Sequence, residues 1–159
     1  MAVHLIPASL LHVGPIASNI RPIDRAECEA LGRTPKEALR SGLRCSLSAY
    51  TAMEGGRPLA MLGVVPIDLM NGRGTVWMLG TERVFRHGRA LLGFGPIVLA
   101  DWLTTFTTLD NIISADNHRA IRVLRRWGFD ISDRPQVHGG VTFLPFRMER
   151  AIQERQLVA

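Results

Sequence analysis

Residues 117–129, Asn-His-Arg-Ala-Ile-Arg-Val-Leu-Arg-Arg-Trp-Gly-Phe, constrain the fold more than any other part of the chain. An asparagine in first position suits a helix cap, because its side-chain oxygen accepts a free amide of the first turn. Ala120, Ile121, Leu124 and Trp127 recur at three- and four-residue spacing, which gives one apolar face. Arg119, Arg122, Arg125 and Arg126 crowd the remainder. Gly128 suits the left-handed turn that ends a helix, and Phe129 opens a strand. A strand over 109–115 precedes this unit. The local pattern is therefore strand, asparagine, short amphipathic helix, Gly-Phe, strand.

The rest of the chain supplies elements to pack around it. Residues 3–6 read as a first strand. Residues 9–19 are apolar and helical, interrupted at Gly14-Pro15. A second helical pattern covers 23–31 and ends at Gly32. Thr34-Pro35-Lys36-Glu37 starts a third helix, with the hydroxyl as cap and proline at the first helical position, running to about Arg44. Strands over 46–53, 57–66 and 74–80, separated by Glu54-Gly55-Gly56 and Asn71-Gly72-Arg73-Gly74, form an antiparallel meander. Leu59, Met61, Gly63 and Val65 share one face of the middle strand. Residues 86–106 are largely helical, weakened by Gly88, Gly93 and Gly95-Pro96. After the 117–129 unit come strands near 129–133 and 141–148, joined by a turn at His138-Gly139-Gly140. The order predicts an α+β fold, a mixed central sheet flanked by helices.

A chain of 159 residues builds one domain with a real core. No run approaches the eighteen or so apolar residues of a membrane span. The opening Met1-Ala2-Val3-His4 lacks the basic start of a signal peptide, so secretion by that route is not expected. Cys28 and Cys45 have no metal-type spacing and read as free thiols. The net charge is +5, and 18 of the 19 basic residues are arginine, Lys36 being the exception. Arginine forks suit phosphate groups. They are spread along the whole chain without an aromatic platform, so nucleic acid is not the expected partner. Trp77, Trp102 and Trp127 fall on apolar faces and read as core.

The 117–129 unit resembles the fourth helix of the GNAT acyltransferases, and the element order matches that fold over residues 3–149. Gly63 with Pro66, Trp77-Met78-Leu79-Gly80-Thr81, Arg86-His87-Gly88-Arg89, the 117–129 unit and Phe143-Leu144-Pro145-Phe146-Arg147-Met148 are more specifically similar to GNAT-like proteins of podovirus-type tailed phages, among them internal virion proteins. The resemblance implies a single GNAT-like domain over 1–149 with a tail over 150–159, located in the host cytoplasm or the virion. It implies acetyl-CoA or CoA as cofactor, no metal, and an unidentified amine or protein as acceptor, other virion proteins included. A non-catalytic virion or assembly protein on the same scaffold is the alternative.

In this family the CoA pyrophosphate sits on backbone amides at a helix start, in a loop of the form Arg/Gln-x-x-Gly-x-Gly/Ala. Phe85-Arg86-His87-Gly88-Arg89-Ala90 matches at Gly88 and Ala90, with Phe85 in the leading position. Gly93-Phe94-Gly95 offers a second Gly-x-Gly. The resemblance thus assigns Arg86, His87, Gly88, Arg89 and Ala90 to the phosphates and Asn117 to the pantetheine arm. The family's tyrosine, which protonates the leaving thiolate, is replaced by Leu124; the sole tyrosine is Tyr50. Glu82 and Asp116 are the candidate general bases. Asp24 and Glu27, three apart on one helix face, border the acceptor side together with Arg21. Each residue also has a plainer reading as cap, loop carboxylate or surface ion pair.

Overall fold

The computed structural model describes residues 2–151. The elements in chain order are β1 (Val3–Pro7), α1 (Val13–Ser18), α2 (Pro22–Ala30), α3 (Pro35–Cys45), β2 (Ser48–Glu54), β3 (Arg57–Asp68), β4 (Arg73–Gly80), α4 (Glu82–Arg86), α5 (Gly88–Thr105), β5 (Thr108–Ser114), α6 (His118–Trp127), β6 (Asp130–Ile131), β7 (Gln136–His138) and β8 (Val141–Glu149). A short 3-10 turn, Leu10–His12, precedes α1. The strands form one mixed sheet in the order β1-β2-β3-β4-β5-β8-β6, with β7 also on β8. The pair β4 and β5 is parallel, and its other named neighbours are antiparallel.

Helices cover both faces of the meander. Leu62, Val64 and Val76 pack with Val98, Leu99 and Trp102 of α5 and Ile121 and Leu124 of α6. The alternate residues, Met61, Trp77 and Leu79, pack with Val13, Ile16 and Leu39 of α1 and α3. Strand β3 is therefore buried on both sides, not only on the Met61 side. Its unbroken apolar run reflects this, because alternation appears only where one face meets water.

Local signals produced the expected helix ends. Thr34 and Glu37 form a reciprocal capping box at α3, with Pro35 in the first turn. Gly128 takes φ +101° after α6, and the amides of Gly128 and Phe129 close back on Arg125 and Leu124. Three expectations need correction. The helix expected over 86–106 is preceded by a separate five-residue helix, α4, and the two meet at His87. The strand expected over 129–133 is only Asp130–Ile131; Pro135 separates it from β7 on the same edge. Asn117 precedes α6 but makes no side-chain cap, since its Oδ1 accepts from Arg21 instead. The tail expected over 150–159 lies, from residue 152 onward, outside the described residues. Arg150 is still tied to the sheet, its amide donating to Thr107 O at 2.8 Å.

Pro96 is accommodated inside α5, which continues to Thr105. Gly95 is where α5 meets α6: an added Cβ would overlap the Trp127 indole, whereas one on Gly93 meets nothing. Replacing either glycine by alanine gains about 1 kcal/mol of helix propensity. At Gly95 the overlap costs about 1–3 kcal/mol and outweighs it. Urea unfolding should therefore show Gly93→Ala more stable than the wild type and Gly95→Ala less stable.

Candidate active site

The centre of the molecule is a place where the sheet comes apart. Strands β4 and β5 pair only at residues 73–75 and 108–110. Beyond this the strands diverge, and their inner peptide groups need other partners. Asn111 spans the gap near its base, donating from Nδ2 to Val76 O at 2.7 Å. Its Oδ1 accepts from the amide of Ile112 at 2.7 Å. Farther out, α2 fills the gap. The Arg21 amide donates to Gly80 O at 3.0 Å, and Gly80 N donates to Asp24 Oδ2 at 3.0 Å. On the opposite strand the amide of Ser114 donates to Glu27 Oε1 at 3.0 Å. One helix thus places a carboxylate on each diverging strand. Peptide groups alternate along a strand, so Met78, between Val76 and Gly80, also turns its amide and carbonyl into the gap.

Arg21 joins these groups. It is 5% exposed, and Asp24 and Asn117 are 4% and 2% exposed. Its Nη1 donates to Asp24 Oδ1 at 3.4 Å and its Nη2 to Asn117 Oδ1 at 3.1 Å. The guanidinium lies over the Phe85 ring, 4.2 Å from its centroid. Asn117 Nδ2 donates onward to Glu27 Oε1 at 3.1 Å. Asn117 is thus a bridge in this network and not a cap. Glu82 approaches Arg21 Nε at 3.7 Å and is held more closely by Arg119 at 2.9 Å.

Two carboxylates face one buried guanidinium, and burial outweighs its pull on both. Burial pushes the Asp24 carboxyl up to about 7, against the pull of Arg21 and the Gly80 amide. Burial also raises Glu27, against its bonds from Asn117 and Ser114. Cys28 is pushed up to about 11 by burial and by the same two carboxylates, so it is an inert thiol.

Two cavities meet this region. The first, about 620 Å³, runs through the gap. Val98, Leu99, Leu124 and Trp127 line it on the α5–α6 side, and Cys28, Leu31, Cys45 and Ile67 on the α2–α3 side. Arg21, Asp24, Glu27 and Asn117 line its middle. The second, about 880 Å³, lies between the start of α5 and the outer face of α6. Arg86, Arg119, Arg122, Arg125 and Arg126 line it, with Glu82 and Gly88. Leu91 N makes the first backbone bond of α5, to His87 O, which leaves the amides of Gly88, Arg89 and Ala90 without helical acceptors.

The sequence candidates separate accordingly. Arg86 and Gly88 line the arginine cavity, whereas Arg89 and Ala90 do not. His87 turns away, its Nε2 lying 3.0 Å from Glu54 Oε1, beside the Arg83–Glu54 pair at 2.7 Å. Its expected place on the phosphates is not supported by this orientation. Glu82 lies at the cavity rim, already paired with arginine. Asp116 is exposed and lines neither cavity. Leu124 is buried among the α5–α6 core residues and lines the first cavity. Tyr50 is on β2 and lines neither cavity. The functional groups that sequence reasoning underweighted are Arg21 and Asn111. Asn111 reaches Val76, 35 residues away, and Arg21 shows only its local pairing with Asp24 in the sequence, not its bond to Asn117, 96 residues away.

This sheet, with its diverging parallel β4/β5 pair, has close three-dimensional counterparts among solved acetyltransferase structures. The chain has the GNAT fold. No protein-family model and no curated protein matches the sequence. The likeness is three-dimensional. A GNAT-family acetyltransferase from Bacillus anthracis superposes with a TM-score of 0.68 at 8% identity, over 94% of this chain and 95% of that one. AAC(6')-Ib in complex with paromomycin and acetyl-CoA gives 0.68 at 15% identity, over 99% and 98%. The ribosomal-protein-S18-alanine N-acetyltransferase from Escherichia coli gives 0.67 at 13% identity, over 99% and 100%.

The Asp24 environment has a measurable consequence. Its folded value of about 7 exceeds the ordinary 3.8, so between these values the folded state holds a proton that the unfolded state has lost. This contribution to stability is present at low pH and is lost as pH rises through about 7. Between pH 5 and 7.5 the loss is about 2 kcal/mol. Asp24→Asn should flatten this part of the stability–pH curve, as urea unfolding at the two pH values would show.

Proposed function

We propose that this protein is an acyl-CoA-dependent N-acyltransferase, with acetyl-CoA as donor and an amine as acceptor. One observation carries the reading: an arginine-lined cavity at a helix start adjoins a gap edged by unpaired peptide groups of β4. The cavity suits the diphosphate end of the donor, where free amides of Gly88, Arg89 and Ala90 and the positive helix end meet an anion. Gly88 has open space where a side chain would stand, so a phosphate can approach its backbone closely. The gap suits the extended pantetheine arm, with the Met78 peptide group as its anchor.

CoA supplies the activated acyl group as a thioester. The chain aligns that carbonyl with cleft-facing amides, which polarise it, and brings the amine from the α2–α3 side. Asp24 is better placed to accept the ammonium proton than Glu82 or Asp116, because it lies inside the first cavity and its carboxyl titrates at about 7. Leu124 donates no proton, so the thiolate departs without the tyrosine that the family resemblance implies.

A second reading is favoured by one specific contact. Both polar groups of Gly80 are already taken by α2. A donor that needs them must displace Asp24. A chain that keeps these bonds is a scaffold without turnover, in line with the phage-type resemblance to virion and assembly proteins in the virion or host cytoplasm.

Calorimetric titration with acetyl-CoA and with CoA tests the reading. Binding is expected, and Gly88→Trp and Arg122→Ala should each weaken it about tenfold or more, the scale of one charge-assisted contact or blocked phosphate seat. Unchanged affinity in Gly88→Trp would remove the α5 start from the site. No binding at millimolar CoA would end the acyltransferase reading. Tight binding with no acyl transfer to any of a panel of amines would establish the scaffold.

A further inference from the structure

On the α2–α3 side the first cavity has its own chemistry. Asp24, Glu27, Cys28 and Leu31 line it at the spacing of one helix face. Along α2 the lining therefore passes from two carboxylates, bonded to the diverging strands, to apolar groups. Strands β3 and β4 contribute Val65, Ile67 and Trp77. Trp77 is fixed in place. Its Nε1 donates to Ser46 Oγ at 2.8 Å. A Cβ added to Gly42 of α3 would lie 2.7 Å from the ring, and one added to Gly63 of β3 would lie 2.8 Å from Nε1. Helix and strand thus both touch the indole where no side chain stands. The Nε1–H is the indole's one donor and is spent on Ser46, so this half-buried ring offers the cavity an apolar surface.

The charges of the lining limit what enters. Asp24 and Glu27 are its carboxylates among the described residues, and Arg21 beside them offsets one. At most one net negative charge remains, which suits one ammonium. The other charged residue of the lining is Arg33, two residues past Leu31, and it repels a second ammonium. We propose that the acceptor is a primary monoamine on an extended apolar body, with its nitrogen at Asp24 and Glu27 and its body against Trp77, and that polyamines are rejected. This rests on the acyltransferase reading and names the acceptor class it takes. The ammonium loses one proton to Asp24 or water. Its lone pair forms the bond to the carbonyl carbon, and the C–S bond breaks with its electron pair on sulfur. The nitrogen sheds a second proton and the thiolate takes one from solvent, so ammonium and thioester become amide, thiol and one released proton.

The test compares propylamine, butylamine, pentylamine, phenethylamine and cadaverine, which is pentylamine with a second amine. At saturating acetyl-CoA, kcat/KM should rise about fourfold with each methylene added, mainly through KM. Cadaverine should fall at least about tenfold below pentylamine, because its second charge enters an apolar lining. Leu31 is about half exposed, so Leu31→Glu should fold. It should narrow the gap between cadaverine and pentylamine and leave CoA affinity unchanged. Binding to the CoA-saturated protein is read without turnover from the indole N–H resonance of Trp77, assigned with Trp77→Phe. Phenethylamine should shift that resonance more than cadaverine does at equal concentration. Cadaverine as good as pentylamine, or rates and shifts indifferent to chain length, would overturn the proposal and leave the acyltransferase reading standing. Absence of CoA binding in the wild type would instead sink the acyltransferase reading and the proposal with it.

Discussion

Two parallel strands that share hydrogen bonds for only three residues each create a demand that the rest of the structure must meet. Each inner peptide group left without a partner in the interior costs about 1–3 kcal/mol. The chain meets the demand with side chains: Asn111 at the narrow end, Asp24 and Glu27 at the wide end. The two carboxylates come from one helix and reach opposite strands, so the position of α2 is fixed by hydrogen bonds as much as by apolar packing. The helices against the intact part of the sheet have no such task and pack through ordinary aliphatic contacts, as α1 and α3 do around Leu39 and Met61.

That solution concentrates charge where water is scarce. Arg21, Asp24 and Glu27 are held in an interior where Coulomb attraction is strong but desolvation costs several kcal/mol per ion. The contrast with the surface is instructive. Arg73 and Asp110 meet at 2.7 Å across the base of the same gap, but the arginine is half exposed and such a pair contributes about 0–1 kcal/mol. Distance alone would rank that pair above Arg21–Asp24 at 3.4 Å. Burial sets the inner pair apart, because desolvation raises the Asp24 carboxyl against the pull of Arg21. The electrostatics that bear on chemistry are therefore those of α2, although surface pairs are shorter.

Legibility in the sequence followed the range of the interactions. Helix α6 was readable because its apolar face and closing glycine lie close together in the chain, and α3 because its capping box is local. The α+β order and the meander were readable from periodicity. What escaped was long-range. Asn117 looked like a cap, yet its partners are Arg21 and Glu27, 96 and 90 residues away. The shared face of Asp24 and Glu27 was visible, but not that each would hold a backbone amide of a different strand. His87 fell in the phosphate-loop pattern, and only the fold shows Glu54 drawing it away. The break between α4 and α5 had no proline or cap to announce it.

The arginines of α6 complete the physical argument. Arg122 and Arg126 are four apart, and Arg119, Arg122 and Arg125 are three apart, so like charges stack along one helix face at a cost of tenths of a kcal/mol per pair. Among the described residues, Arg119 finds a carboxylate in Glu82. The helix tolerates the row because Ile121 and Leu124 on its other face are buried in the core. Its last-turn members also lie at the negative end of the helix dipole, where cations are favoured. The start of α5, facing the same cavity, is a positive dipole end and would repel these arginines unless something negative lay between. A convex arginine row would fit an extended polyanion, but this one lines a concave cavity that Gly88, the first residue of α5, lines as well. Such a geometry suits a compact anion with several charges, and the gap that opens from it determines how far the remainder of that molecule can extend into the sheet.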